Sequence, residues 1–311
     1  MEEKEEFKEK ISLIKSYVSP DPSQINVLTT KGFFQDLIYR IQKVDMSGMG
    51  ALLAYFFLLS FFPMLIFMVT LLPYLNLEQG QVFDFLSDIM PEEVYVLIEG
   101  TLSEVLTNQN GGLLSVGIIG TIWSASRAVD ALMKTLNRAY DVEARAGFIN
   151  RIWSLLFTIS LVIIILIALV LPVFGQQIEN VVFGYFGIEE SLAGLWTTLR
   201  WIMPPTLIFL LLTVMYWIVP NTDPRLTIVS VVPGSILATL GWLTLTYGFS
   251  FYINNFGNFS ATYGSIGGVI ILMLWLYFTG MILILGGILN ATFQKRQIAK
   301  KNKKNAKTPV F

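Results

Sequence analysis

Six long apolar stretches run along the chain, at roughly 48–75, 111–133, 152–175, 196–219, 226–252 and 264–292. About 20 apolar residues in a helix cross about 30 Å of hydrocarbon, so each stretch is predicted to be a membrane span. The second has the shortest uninterrupted part. From Gly111 to Ser126 it reaches about 24 Å at about 1.5 Å per residue, and it must then carry Arg127 near one interface or inside the bundle. Ahead of the first span, residues 31–45 place Phe34, Leu37, Ile38 and Ile41 on one helical face, with Lys31, Asp36, Arg40 and Lys43 elsewhere. That pattern predicts an amphipathic helix lying at the membrane surface; the alternative is packing on a soluble neighbour. Between the first two spans, 76–110 reads as two short amphipathic helices hinged at Pro91, an acidic cap. The expected class is all-α and polytopic. Its parts are an N-terminal segment 1–46, a six-helix domain 47–293 and a basic tail 294–311.

Composition supports this pattern and removes most soluble chemistry. Of 311 residues, 54% are hydrophobic and 14% charged, against about 25% charged in a soluble domain. Cys and His are both 0, which excludes thiolate chemistry, disulfides, Cys/His zinc sites and imidazole-based triads. A net charge of −1 does not advertise nucleic-acid binding. No P-loop and no dinucleotide fingerprint is present. The charged start lacks the short apolar core of a signal peptide. No metal and no cofactor are expected, and no enzymatic activity.

Orientation is read from Lys and Arg, which favour the cytoplasmic side. Seven precede the first span, five lie from Arg127 at the end of the second to Arg151, Arg225 follows the fourth and seven lie in the tail. The loops 76–110, 176–195 and 253–263 hold none, and 76–110 instead holds seven acids. Of the 21 basic residues, Arg200 alone is left on the other side. Six spans with both termini cytoplasmic fit this distribution. Deleting the second span would reverse every later loop and break it.

Candidate chemistry collects on that second span. Trp123, Arg127, Asp130, Lys134 and Asn137 fall on one helical face, with Ser126 beside them. Arg127 and Asp130 are three residues apart and can pair. An ionisable group at membrane depth marks a functional site by default; the alternative is a span end emerging into cytoplasm. Arg200, between Trp196 and Trp201, either snorkels to outer phosphates or faces an outward cavity. Asn290 is able to hydrogen-bond across helices or to lie in the interface. Pro63 and Pro73 are expected to interrupt the first span. Pro172 should end the third, Pro204 and Pro205 should open the fourth, and Pro220 should end it. Gly264 and Gly268 form a GxxxG, a close-packing signal. Asn258-Phe259-Ser260 matches a glycosylation sequon. The tail after the last span fits anionic lipid better than nucleic acid.

Four strings carry a resemblance. ALLAYFFLLSFFP (51–63), GLLSVGIIGTIWSASRAVDALMKTLNRAYDVE (112–143), IVPN (218–221) and YGSIGGVIILMLWLYFTGMILILGGILNA (263–291) together resemble the YihY/virulence-factor-BrkB family of bacterial inner-membrane proteins. The resemblance runs from about 31 to 294 and implies six spans in a bacterial cell membrane. The family once carried a ribonuclease name. This chain has no His and no cluster of acids able to hold the two metals that nucleases require. Family members have been linked to envelope lipid export, as candidate flippases. The last span of the family often reads GAE; here Gly286-Gly287-Ile288 puts Ile288 where the acid would be. The expected function is transport or translocation of an envelope lipid or lipid-linked phosphate. Trp123, Ser126, Arg127, Asp130, Asn137, Arg200 and Asn290 are its candidate path. The alternative is a non-transporting scaffold using the acidic cap. Membrane lipids are the expected partners, anionic lipid at the tail among them; a homo-oligomer stays open.

Overall fold

The computed structural model describes residues 25–71, 111–186, 193–256 and 266–305. The expected cap at 76–110, Pro73, the sequon at Asn258 and Gly264 lie outside the described residues. Every described element is a helix: α1 Thr30–Lys43, α2 Met46–Leu71, α3 Gly111–Ala139, α4 Gly147–Phe186, α5 Ala193–Ile218, α6 Ile228–Phe256 and α7 Ile266–Asn305. Six of these, α2 to α7, contain stretches long and apolar enough to cross a membrane. Their mean hydropathies run from 1.3 for α3 to 2.5 for α7. Among the described residues the architecture is all-α with six helices able to span, as hydropathy predicts.

Local chemistry sets the helix ends. Thr29 caps α1, its hydroxyl oxygen accepting from the Gly32 amide at 3.0 Å. Asp45, with φ of 51°, ends α1 in the left-handed region and turns its carboxylate to the Gly48 amide at 3.1 Å, so it also starts α2. Asp141, φ 61°, ends α3 in the same way. There the Val142 amide reaches Asn137 O at 3.1 Å and the Asp141 amide reaches Arg138 O at 3.3 Å. This is the paired bonding of a Schellman cap, with aspartate where glycine is usual. Aspartate tolerates the left-handed region better than most residues, and its side chain is used, as described below.

Several expected breaks do not occur. Pro63 lies inside an unbroken α2, and Pro204 and Pro205 lie inside α5 rather than opening it. The helix of α4 runs on past Pro172 to Phe186. Pro220 does follow the end of α5 at Ile218. A proline without its amide costs one bond, which a long helix packed on neighbours can absorb.

The helices divide between two compact units. One gathers α1, the start of α2, the end of α3, the start of α4, the end of α5, and α6 and α7. Within it α6 packs along α7, and α1 lies against α7. Tyr216, Leu136, Ile284 and Ile288 are wholly buried there. Close approach of α6 and α7 is made at Gly234 and Gly286. A Cβ at Gly286 would sit 2.6 Å from Gly234 O and 2.8 Å from the Tyr216 hydroxyl. Of the GxxxG glycines, Gly264 lies outside the described residues, and a Cβ at Gly268 would meet nothing within 4 Å. The second unit gathers the rest of α2 to α5. In it α2 and α3 approach at Gly117 and Gly120, where an added Cβ would lie 2.7 Å from Phe67 N and 3.1 Å from Pro63 Cβ. Pro63 is thus a packing residue set against a glycine.

Candidate functional site

α3 carries its charges on one exposed face. Val116, Ile119 and Trp123 are 65%, 67% and 54% exposed. Arg127, Lys134 and Arg138 follow them on the same side of the helix, all exposed. The face therefore changes from apolar to cationic at Arg127. With 29 residues α3 is about 44 Å long, and Arg127 lies about 18 Å from its C-terminal end. That is well inside the stretch long enough to span.

The Arg127 guanidinium lies over the Trp123 ring, 5.6 Å from its centroid. A ring face attracts a cation, more strongly when both are desolvated. The expected Arg127–Asp130 pair is not formed. Asp130 instead takes Lys134 Nζ at 2.7 Å and Asn150 Nδ2 at 2.5 Å. The i,i+4 spacing with the acid first favours Lys134, and Asn150, buried at the start of α4, offers a second donor. Ser126 is buried and folds its hydroxyl back to Trp123 O at 2.8 Å. Asn137 is buried too. Its Nδ2 donates to Met133 O at 2.9 Å, and its Oδ1 accepts from the Asn221 amide at 3.1 Å. It thereby holds the IVPN turn and is a structural residue rather than part of the exposed face. Asn290 bonds across helices, its Oδ1 accepting from Gly234 N at 2.7 Å. Arg200 lies on α5, and its side chain is outside the described set.

A denser charged cluster, which sequence reasoning missed, joins α1 to α3 and α7. Asp36 is wholly buried and accepts from Arg40 Nε at 2.7 Å and Lys295 Nζ at 2.6 Å. Arg40, also buried, extends Nη1 to Asp141 Oδ2 at 3.0 Å and to the Ala139 carbonyl. Lys43 joins the same Asp141 carboxylate. Ala139 O is among the carbonyls a helix end leaves unpaired, where a cation also meets the negative end of the helix dipole. The left-handed aspartate at 141 thus both ends α3 and delivers a carboxylate to α1.

Burial alone would raise the Asp36 pKa; Arg40 and Lys295 outweigh it and hold the carboxyl below its usual range. Burial pushes Lys43 down, helped by Arg40 and Lys295. It pushes the Tyr140 hydroxyl well above its ordinary value, against a smaller pull from Arg40. Arg145 repeats the capping theme at α5, donating to Ile218 O at 2.7 Å, its pKa lowered by burial and by nearby Arg225. The Asp36–Arg40 spacing was readable as an i,i+4 pair. Lys295 was not, because it looked like one more topology-setting lysine.

Among the described residues seven helices, six of them apolar enough to span, define a multi-pass all-α membrane protein. The description of the family Virulence factor BrkB matches residues 37–310, and the chain belongs to that family. It is 42% identical to the ribonuclease-like protein YfkH of Bacillus subtilis over 266 residues, covering 85% of this chain and 96% of that protein. It is 29% identical to a UPF0761 membrane protein of Actinobacillus pleuropneumoniae, over 61% of this chain and 66% of the relative. It is 26% identical to one of Tolumonas auensis, over 79% and 80%. No solved structure matches the chain.

Proposed function

We propose that the chain translocates an anionic lipid or lipid-linked phosphate across a bacterial cell membrane, with both termini in the cytoplasm. The observation that carries this reading is Arg127, exposed over Trp123 within a span. A charge at such depth costs about 2.5–3.5 kcal/mol on insertion scales. A ligand that brings negative charge to it offsets that cost. The apolar run of Val116, Ile119 and Trp123 leads into the cationic run of Arg127, Lys134 and Arg138. That order fits an amphiphile whose tails stay in the bilayer while its headgroup moves along α3. A guanidinium can give a phosphate two parallel hydrogen bonds.

A nuclease reading has less support. The chain has no His, and among the described residues no three metal-ligating side chains gather. The word ribonuclease in the name of the Bacillus relative belongs to that protein.

The test is transbilayer exchange in liposomes containing the purified chain, with labelled phosphatidylglycerol and a polyprenyl phosphate as probes. Exchange should exceed that in empty liposomes. Arg127→Ala should slow it about tenfold or more with the protein still folded, whereas Arg127→Lys should retain part of the rate. Exchange no faster than in empty liposomes for both probes would overturn the proposal in favour of a scaffold.

A further inference from the structure

We propose that α1 is a lipid-docked helix, its face of Phe34, Leu37, Ile38 and Ile41 seated in the acyl-chain boundary of the membrane while Asp36 and Arg40 are locked into the protein. The observation is an inversion of burial. In a helix packed on a water-soluble domain the apolar stripe goes inward and the charges outward. In α1 the buried side is that of Gly32, Phe33, Asp36 and Arg40. Asp36 is 0% exposed and Arg40 4%, while Phe34 is 51% exposed. Leu37, Ile38 and Ile41 are half-buried beside Phe34. Burying two charges and leaving a phenylalanine outward is unfavourable in water and favourable where the outside is hydrocarbon.

Three features hold the helix in that attitude. Asp36 is bound to Lys295 of α7, and Arg40 to the end of α3 at Ala139 O and Asp141. Phe33 stacks edge-on against Phe293 of α7 at 5.1 Å, with the Arg296 guanidinium over its ring at 5.5 Å. These contacts occupy the inward face and leave Phe34 outward, 51% exposed among the described residues.

The occupant follows from where α1 sits. Only Val44 and Asp45 separate it from α2, whose span begins at Met46. Three Cα steps reach about 11 Å, so the end of α1 is never far from the hydrocarbon. Spans of the same unit present outward side chains of the same kind, with Leu237, Leu240 and Tyr247 of α6 at 37%, 58% and 80% exposure. This inference does not depend on translocation.

The experiment uses the full chain, which has no Cys of its own. Phe34→Cys and Ile41→Cys, each labelled with the environment-sensitive dye NBD, are reconstituted separately into vesicles of phosphatidylethanolamine and phosphatidylglycerol. Lys301→Cys, exposed at the far end of α7, is the aqueous control. Both α1 probes should emit to the blue of the control. They should be quenched at least threefold more strongly by lipids carrying a nitroxide on the acyl chain, and less by iodide. Phe34 is largely outward, so its loss should leave the fold intact; Ile41→Cys gives a second reading if it does not. Water-like emission and iodide quenching equal to the control would overturn the proposal. So would blue emission insensitive to nitroxide lipid that is lost on dilution of labelled with unlabelled protein; that result would assign the face to a second copy.

Discussion

Asp36→Ala is expected to lower stability by about 3 kcal/mol, the low end for a broken buried pair, because buried Arg40 keeps only Asp141 as a carboxylate partner and half-buried Lys295 loses the anion they share. Thermal unfolding in detergent should show a clear fall in Tm. The triple variant Asp36→Leu, Arg40→Met, Lys295→Met should recover most of it, since an apolar replacement leaves no uncompensated charge. Acid should act like the mutation. Asp36 has a folded pKa below its unfolded value. Its contribution is therefore fully present above the unfolded value of about 3.9 and lost as pH falls through the folded one. The wild type should lose more stability than the triple variant below about pH 4. Equal acid sensitivity of the two would show that Asp36 adds nothing through its charge.

Gly234→Ala should be comparably damaging, costing about 3 kcal/mol, at the upper end of overpacking in a core. The new methyl would lie 2.5 Å from Asn290 Cγ and nearer still to the Gly286 carbonyl oxygen. Backbone cannot rotate away as a side chain can, so α6 and α7 would have to part. That would also break the bond from Gly234 N to Asn290, which is fully buried. Gly248→Ala on the same helix is the control. A Cβ there meets nothing within 4 Å, and alanine should add about 0.5–1 kcal/mol through helix propensity. Comparable losses at both positions would contradict the close approach.

These two sites also mark where the sequence stopped being legible. The spans were readable because hydrocarbon thickness sets their length whatever the packing. α3 was readable despite its charges because removing it disorders the placement of every later Lys and Arg. The exposed face of α3 followed from helical spacing alone. Asp36 and Arg40 were seen, but as the polar side of an amphipathic helix, which in water would point outward. Their burial depends on Lys295, 259 residues away in the chain. Periodicity within α1 carries no sign of that partner. Asp130 was seen as well, but its carboxylate is shared by Lys134 and by Asn150 on the next helix. The GxxxG at Gly264 and Gly268 pointed to close packing from one segment; the approach of Gly234 to Gly286 joins two helices, a register that a motif in one segment does not encode.

The most direct test of the account is whether α3 crosses the membrane, since the span count and the proposed lipid face both rest on it. The chain has no cysteine, so single cysteines can be labelled cleanly with an impermeant maleimide in intact cells. Cysteines at Glu99, before α3, and at Asn255, near the end of α6, should react. Those at Glu143, just after α3, and at Lys301 should react only once the cells are permeabilised. Labelling of Glu143→Cys in intact cells to the same extent as Glu99→Cys would show that α3 does not cross, and would contradict the account.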